Sequence, residues 1–342
     1  MKIAVIGSGF YGSSLAIVLS KKNDVDLYEK KSKIFNGASS CNQFRFHSGY
    51  HYPRSQKTVR EINKSKDLFI SYFGKDIFGK TNNYYLIANQ SKTNFQKYKK
   101  FLNKNKLYFK KIKNSNNNLI EQSIVTNEKI LNYFIFKKKI LNKIKNTNIK
   151  MRYNQEFKKN YIKNYDKIII TTYSNNNFVL KKLGISKLDE LKFELVEKIL
   201  IKLPQNFSSK SFVVIDGNYV CVDPYLGTRY HLLSDVKLSK LEVKIGKFPT
   251  FKNINKKYIN KGIVKNIRTS QFSNFIKRSS NYLPFLKDAK YIGSMFVVRA
   301  ITKNKEKTDE RTSTIKKHSK KIYSILSGKW NNCVYLAKNI KI

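Results

Sequence analysis

Residues 2–29, KIAVIGSGFYGSSLAIVLSKKNDVDLYE, change hydrophobic period twice in one short stretch. Ile3 to Ile6 is an apolar run of strand length. Ala16, Ile17 and Leu19 then fall on helical spacing, and a second apolar run, Val25 to Tyr28, ends at the acidic Glu29. Further on, Val59, Ile62, Phe69 and Phe73 give a helix one core face, with Ser55 placed as its N-cap. Helical spacing returns near 91–106 and 128–146, followed by strands at 149–157 and 165–172. Between 193 and 235, FELVEKILIKLP and SFVVIDGNYVCVDPYLGTRYHLLSD predict several strands with turns at DGN and PYLG. A last strand-like run, MFVVRAIT, precedes a lysine-rich loop and then YSILSGKWNNCVYLAKNI.

Composition narrows the class. The chain has 342 residues, 41% hydrophobic and 13% aromatic, enough for a sizeable core in about two domains. Lys and Arg number 69 against 22 Asp and Glu, a formal charge of +47. Such a field attracts polyanions and anionic small molecules alike. Most of it is Lys interleaved with Asn and Ile, as in KKIKNSNNNL, which is how an AT-biased genome writes solvated positions, so no specific nucleic-acid partner follows. Cys41, Cys221 and Cys333 are far apart and odd in number; they form no disulfide framework or metal spacing and fit a reducing compartment, the cytoplasm. No apolar run outside the N-terminal segment is long enough to span a membrane.

Gly7, Gly9 and Gly12 stand in G-x-G-x-x-G spacing between the first strand and the helix. Each has a mechanical use: Gly7 for a tight turn, Gly9 for close approach of a pyrophosphate, and Gly12 for helix packing against the strand. The helix start offers unpaired N–H groups to phosphates. Glu29, 22 residues after Gly7, is placed to accept from an adenosine ribose, which favours FAD or NAD over NADP.

The stretch RFHSGYHYPRS, residues 45–55, concentrates chemistry: it holds two of the four histidines, His47 and His51, between Arg45 and Arg54. With the preceding Gly37, Ala38, Ser39, Ser40 and Asn42, it resembles the strip of FAD-dependent oxidoreductases of the D-amino-acid oxidase type, which follows the ribose-binding acid and runs along the flavin. That resemblance implies noncovalent FAD held by Gly7, Gly9, Phe10, Gly12, Glu29, Lys30, Ser39, Ser40, Asn42, Arg45, His47 and Ser48. Later in the chain it implies Thr171 and Thr172 at the end of a returning strand, Arg299 after the late strand, and Gly328 and Lys329 at the final turn. SGKW has one glycine where the family's turn is usually richer in them.

Candidate catalytic residues are His47 and His51, imidazoles able to take a proton near neutrality, and Arg45, able to hold negative charge on flavin or substrate. Candidate substrate contacts are Tyr50, Tyr225, Arg229 and His231, with Arg suited to a carboxylate or phosphate and no metal expected. The expected architecture is α/β: a Rossmann-like FAD-binding domain from 1–80, 147–180 and 288–342, and a second domain built on a mainly antiparallel sheet from 81–146 and 181–287, with helical insertions. The expected function is hydride removal from a carbon bearing an amine or hydroxyl group on a small anionic substrate, with oxygen or another molecule taking the electrons. Two alternatives stand beside it: a sugar-nucleotide modifying flavoenzyme of the UDP-galactopyranose mutase type, and a basic nucleic-acid or membrane-surface binding protein on a nucleotide fold.

Overall fold

The computed structural model describes residues 1–113, 117–217, 219–304 and 308–342; Asn218 of the DGN turn and the middle of the lysine-rich loop lie outside them. Lys2–Ile6 forms the centre of a six-stranded sheet because its side chains are apolar on both faces, which are covered on either side. Its neighbours are Asp24–Glu29 and Lys167–Ile170, both parallel to it. Lys150–Tyr153 extends the sheet beyond the first, and Ile322–Leu326 beyond the second, with Thr314–Lys317 as an antiparallel edge. The helix Phe10–Leu19 crosses between the first two strands, and Phe10, Leu15, Ala16 and Ile17 of it are buried. Ser55 caps Gln56–Phe73 as the sequence predicts, accepting from the Thr58 N–H at 3.4 Å.

The second layer is a nine-stranded mixed sheet, mostly antiparallel. Its path runs from Leu191–Lys202 through Tyr230–Asp235, Val220–Tyr225 and Lys210–Ile215 to Asn82–Ala88, Ile120–Thr126 and Phe109–Ile112. Lys240–Gly246 pairs with the first half of Leu191–Lys202, and the long strand Lys290–Thr302 pairs along its other edge. Two boundaries therefore differ from the sequence reading. Residues 290–302, expected with the FAD pieces, are held in the second sheet by an antiparallel ladder running from Leu191↔Thr302 to Lys202↔Lys290. Helix Tyr133–Lys145, expected with the second domain, packs on the first: Phe136 meets Phe10 at 5.2 Å between ring centres.

A small three-stranded sheet joins the layers, Arg45–Phe46 pairing with Lys129–Leu131 and that strand with Phe78–Gly79. One core continues across both layers, from Phe10 and Phe35 to Val196, Leu232 and Val297. The cleft that this leaves open between the sheets is where the chemistry gathers.

Candidate active site

At one end of the cleft, the backbone does most of the work. Gly7 has φ +97°, a left-handed conformation that glycine adopts without strain, and its N–H donates to the Tyr28 carbonyl at 2.8 Å. A Cβ on Gly12 would lie 1.8 Å from the Gly7 carbonyl oxygen, so only glycine lets the helix sit this close to the turn. The Thr171 hydroxyl is 2.9 Å from the carbonyls of both Ile6 and Gly7 and ties the returning strand to the loop. Glu29, at the end of its strand, accepts from the Ser8 hydroxyl at 2.6 Å and from the Lys31 N–H at 3.0 Å. Ser39 reaches the helix start, accepting from the Phe10 N–H at 2.9 Å.

From there a single cavity of about 1090 Å³ runs past Lys30, Ser39, Asn42 and Thr172 to His47, His51, Tyr52, Arg299, Gly328 and Lys329. That exceeds the range of a drug-sized ligand and can take a dinucleotide with a small substrate beyond it. The far end is closed by the C-terminal turn. A Cβ on Gly328 would fall 2.2 Å from the Arg311 carbonyl oxygen, so the one glycine in SGKW is where close approach demands it. The Tyr11 hydroxyl donates to the Lys329 carbonyl at 2.6 Å and fixes that turn to the first helix.

Electrostatics separates the side chains at this end. Lys329 Nζ lies 4.5 Å from the centre of the Tyr52 ring, and among the described residues no carboxylate pairs with it. Burial pulls its pKa down to about 7. The rings of His47 and His51 are 5.2 Å apart in a T-shaped contact. Burial first, then Lys329, His51 and Arg45, hold His47 well below its ordinary value; burial, Arg45 and Lys329 bring His51 to about 3. Both imidazoles are therefore neutral near pH 7.

Several expected roles do not survive the geometry. Arg45 borders the cavity, yet its guanidinium is 1% exposed and is taken up within the fold: Nη1 donates to Glu128 at 2.8 Å, and Nη2 to Asp223 and Ser211. Its charge is spent on two carboxylates, which removes the expected hold on flavin or substrate. Ser48 gives its N–H to Glu128 at 2.9 Å and does not border the cavity, nor does Ser40, whose hydroxyl bonds the Gly37 carbonyl at 2.9 Å. None of the four expected substrate contacts lines the cavity. Tyr50 is buried with its hydroxyl on the Tyr108 carbonyl; Tyr225 stacks on Phe44 at 5.6 Å; His231 holds the Phe207 carbonyl at 2.9 Å. Arg229 is exposed in the turn before its strand, which starts only at Tyr230. Arg299 lines the cavity but is paired with Glu194.

The structure adds residues that no local pattern marked. Glu128 comes from a segment read as the start of a helix, and Tyr85 and Asp223 from strands of the second sheet; all three surround Arg45. Lys198 lines the cavity at 7% exposure and donates to the Gln43 amide oxygen at 2.9 Å, with burial lowering its pKa. Each lies far along the chain from the histidine strip, so spacing carried no signal. Among the described residues, no cluster of three or more His, Cys, Asp or Glu is placed to hold a metal, and no helix is long and apolar enough to cross a membrane.

Comparison with known proteins agrees with this geometry. Residues 2–131 match the family of FAD dependent oxidoreductases, the D-amino-acid oxidase family. A 59-residue stretch, 17% of the chain, is 41% identical to the FAD-dependent monooxygenase kojA of Aspergillus flavus; it spans only 14% of that protein. Over nearly its whole length the fold is similar to L-alpha-glycerophosphate oxidase from Mycoplasma pneumoniae with FAD bound (TM-score 0.71, 14% identity, 98% of this chain and 92% of that one). It is also similar to glycine oxidase from Geobacillus kaustophilus (TM-score 0.69, 11% identity, 97% and 90%). The family match covers the glycine loop and the histidine strip, and over nearly the whole chain the fold is similar to that of an oxidase with FAD bound. The cradle would fit FAD: the Gly7–Gly12 turn, which a Cβ at Gly12 would close, would take the pyrophosphate, and Glu29 lines the cavity where the ribose would lie.

Proposed function

We propose that this chain oxidises a carbon bearing an amine or hydroxyl group on a small anionic substrate, with noncovalently held FAD taking up the hydride. Gly7, Gly9, Phe10, Ser39 and Thr172 would hold the cofactor's phosphates and Glu29 its ribose, while His47, His51 and Lys329 border the substrate end. The observation that carries this reading is the continuity of one cavity from the glycine loop to two neutral imidazoles and a lysine that no carboxylate pairs with among the described residues.

The roles follow from those charges. A neutral imidazole can take the proton that an amine or hydroxyl must lose as its carbon is oxidised. Lys329 and the buried Lys198 supply positive charge at the cavity wall, which favours a donor carrying a carboxylate or phosphate. The names of the structural neighbours agree, glycine being an amine donor with a carboxylate and glycerophosphate a hydroxyl donor with a phosphate. Cys41, Cys221 and Cys333 are unpaired thiols, which supports a reducing compartment, the cytoplasm.

Purified protein should be yellow and release FAD on heating. Anaerobic mixing with a panel of amino acids, hydroxy acids and sugar or glycerol phosphates should bleach it with at least one anionic donor. Protein that takes up no FAD, or that only uncharged donors bleach, overturns the reading.

A further inference from the structure

We infer that His51 is the proton-accepting base and that Tyr85 and Glu128 act behind it as positioning residues, fixing its tautomer. The role as base rests on the oxidoreductase reading above; the tautomer rests on hydrogen-bond geometry alone.

The argument is one of proton counting. Tyr85 is fully buried, and its hydroxyl lies 2.5 Å from Glu128 Oε2 and 3.3 Å from His51 Nδ1. A phenol has one proton to give. Burial and the neighbouring Glu128 carboxylate keep Tyr85 protonated, and Glu128, paired with Arg45, can only accept. The Tyr85 proton therefore points at Glu128, and the Tyr85 oxygen is left to accept. His51 must then carry its hydrogen on Nδ1 and its lone pair on Nε2, the atom at the opposite side of the ring. This is the logic by which a carboxylate orients a histidine in hydrolytic triads, with a tyrosine interposed.

His47 is arranged differently. Its Nδ1 is buried without a hydrogen-bond partner among the described residues, 3.9 Å from Glu128 Oε1. Among the described residues no hydrogen bond fixes the His47 tautomer, whereas the Tyr85 contact fixes that of His51. In the proton step, the donor's N–H or O–H bond breaks and an N–H bond forms at His51 Nε2. The resulting imidazolium keeps its Nδ1 hydrogen bond to the Tyr85 oxygen, which holds the ring in place as the proton arrives at Nε2.

The test is nitrogen NMR of histidine-labelled FAD-bound protein, tractable because the chain has only four histidines. Wild type should show His51 with a protonated Nδ1 and an unprotonated Nε2. Tyr85→Phe, which changes no charge, should move His51 toward the Nε2–H form that free imidazole prefers. It should also slow flavin reduction about 10–100-fold while FAD content and donor affinity stay within twofold. Glu128→Gln should do the same if it folds; since it removes a partner of buried Arg45, Tyr85→Phe carries the test. An Nε2–H His51 in wild type overturns the proposal, as does a Tyr85→Phe protein with unchanged tautomer and unchanged reduction rate. Failure of the functional reading would look different: wild type that no donor bleaches, whatever tautomer His51 shows.

Discussion

The two ends of the cavity are built by different means. The dinucleotide end is mainly backbone, with Gly7, Gly9 and Gly12 within six residues of one another and Glu29 closing the same strand–helix–strand unit. The chemical end is mainly side chains, and they arrive from residues 45–52, 85, 128, 223 and 329. At the first end, a Cβ on Gly12 would fall 1.8 Å from the Gly7 carbonyl oxygen. At the second, position is set by buried charge, and the decisive contrast is between Arg45, neutralised by two carboxylates, and Lys329, neutralised by none among the described residues.

Removing Arg45 should have the largest effect. Arg45→Ala leaves Glu128 and Asp223 buried without their cation, and should cost about 3–5 kcal/mol in denaturant unfolding. If stability fell by less than about 1 kcal/mol, Arg45 would not be the centre around which this end is organised. Gly12→Ala comes next. It forces the helix off the turn at a cost of about 1–3 kcal/mol, and the purified protein should lose its FAD. Full FAD occupancy in that variant would show that the glycine loop is not the cradle.

The contrast also explains what the sequence could reveal. Strand, glycine turn, helix and acid are contiguous, so their spacing states the local fold directly; Ser55 as a helix cap is legible for the same reason. The strip at 45–52 is visible as a concentration of chemistry, and His47, His51, Gly328 and Lys329 do reach the cavity. Which member of the strip is free for chemistry depends on partners far along the chain. Arg45 looks like a ligand group until Glu128 and Asp223 appear beside it. Tyr225 and His231 look exposed to a cleft until Phe44 and the Phe207 carbonyl are found against them. Strand Lys290–Thr302 pairs in the second sheet, because apolar alternation gives a strand but not the edge it pairs with.

Lys329→Met is the third test and separates the two cations. The Lys329 pKa falls from 10.5 in an unfolded chain to about 7 here, so the unfolded state binds the extra proton between those values. Stability therefore rises with pH across that window, and the cost of burying the charged amine is fully present below pH 7. Lys329→Met should raise Tm at pH 6, with a gain that shrinks above pH 7 and is gone near pH 10.5. The same variant should weaken anionic donors more than neutral ones. A variant less stable at pH 6 would mean that Lys329 has a carboxylate partner within the fold.

The smallest effect is expected at Arg229. Alternation along Tyr230–Asp235 would have put Arg229 and His231 on one face, but the alternation begins only where the strand does. Arg229 lies in the preceding turn, where Thr228 N–H returns to the Tyr225 carbonyl at 3.0 Å, and its guanidinium lies 5.8 Å from the ring of its neighbour Tyr230. Arg229→Ala should change unfolding free energy by no more than about 0.5 kcal/mol and leave FAD content and donor-driven bleaching as they are. A loss of donor affinity in that variant alone would mean that the turn folds over the cavity during turnover. The chemical end would then include a segment that lies outside its wall in this conformation.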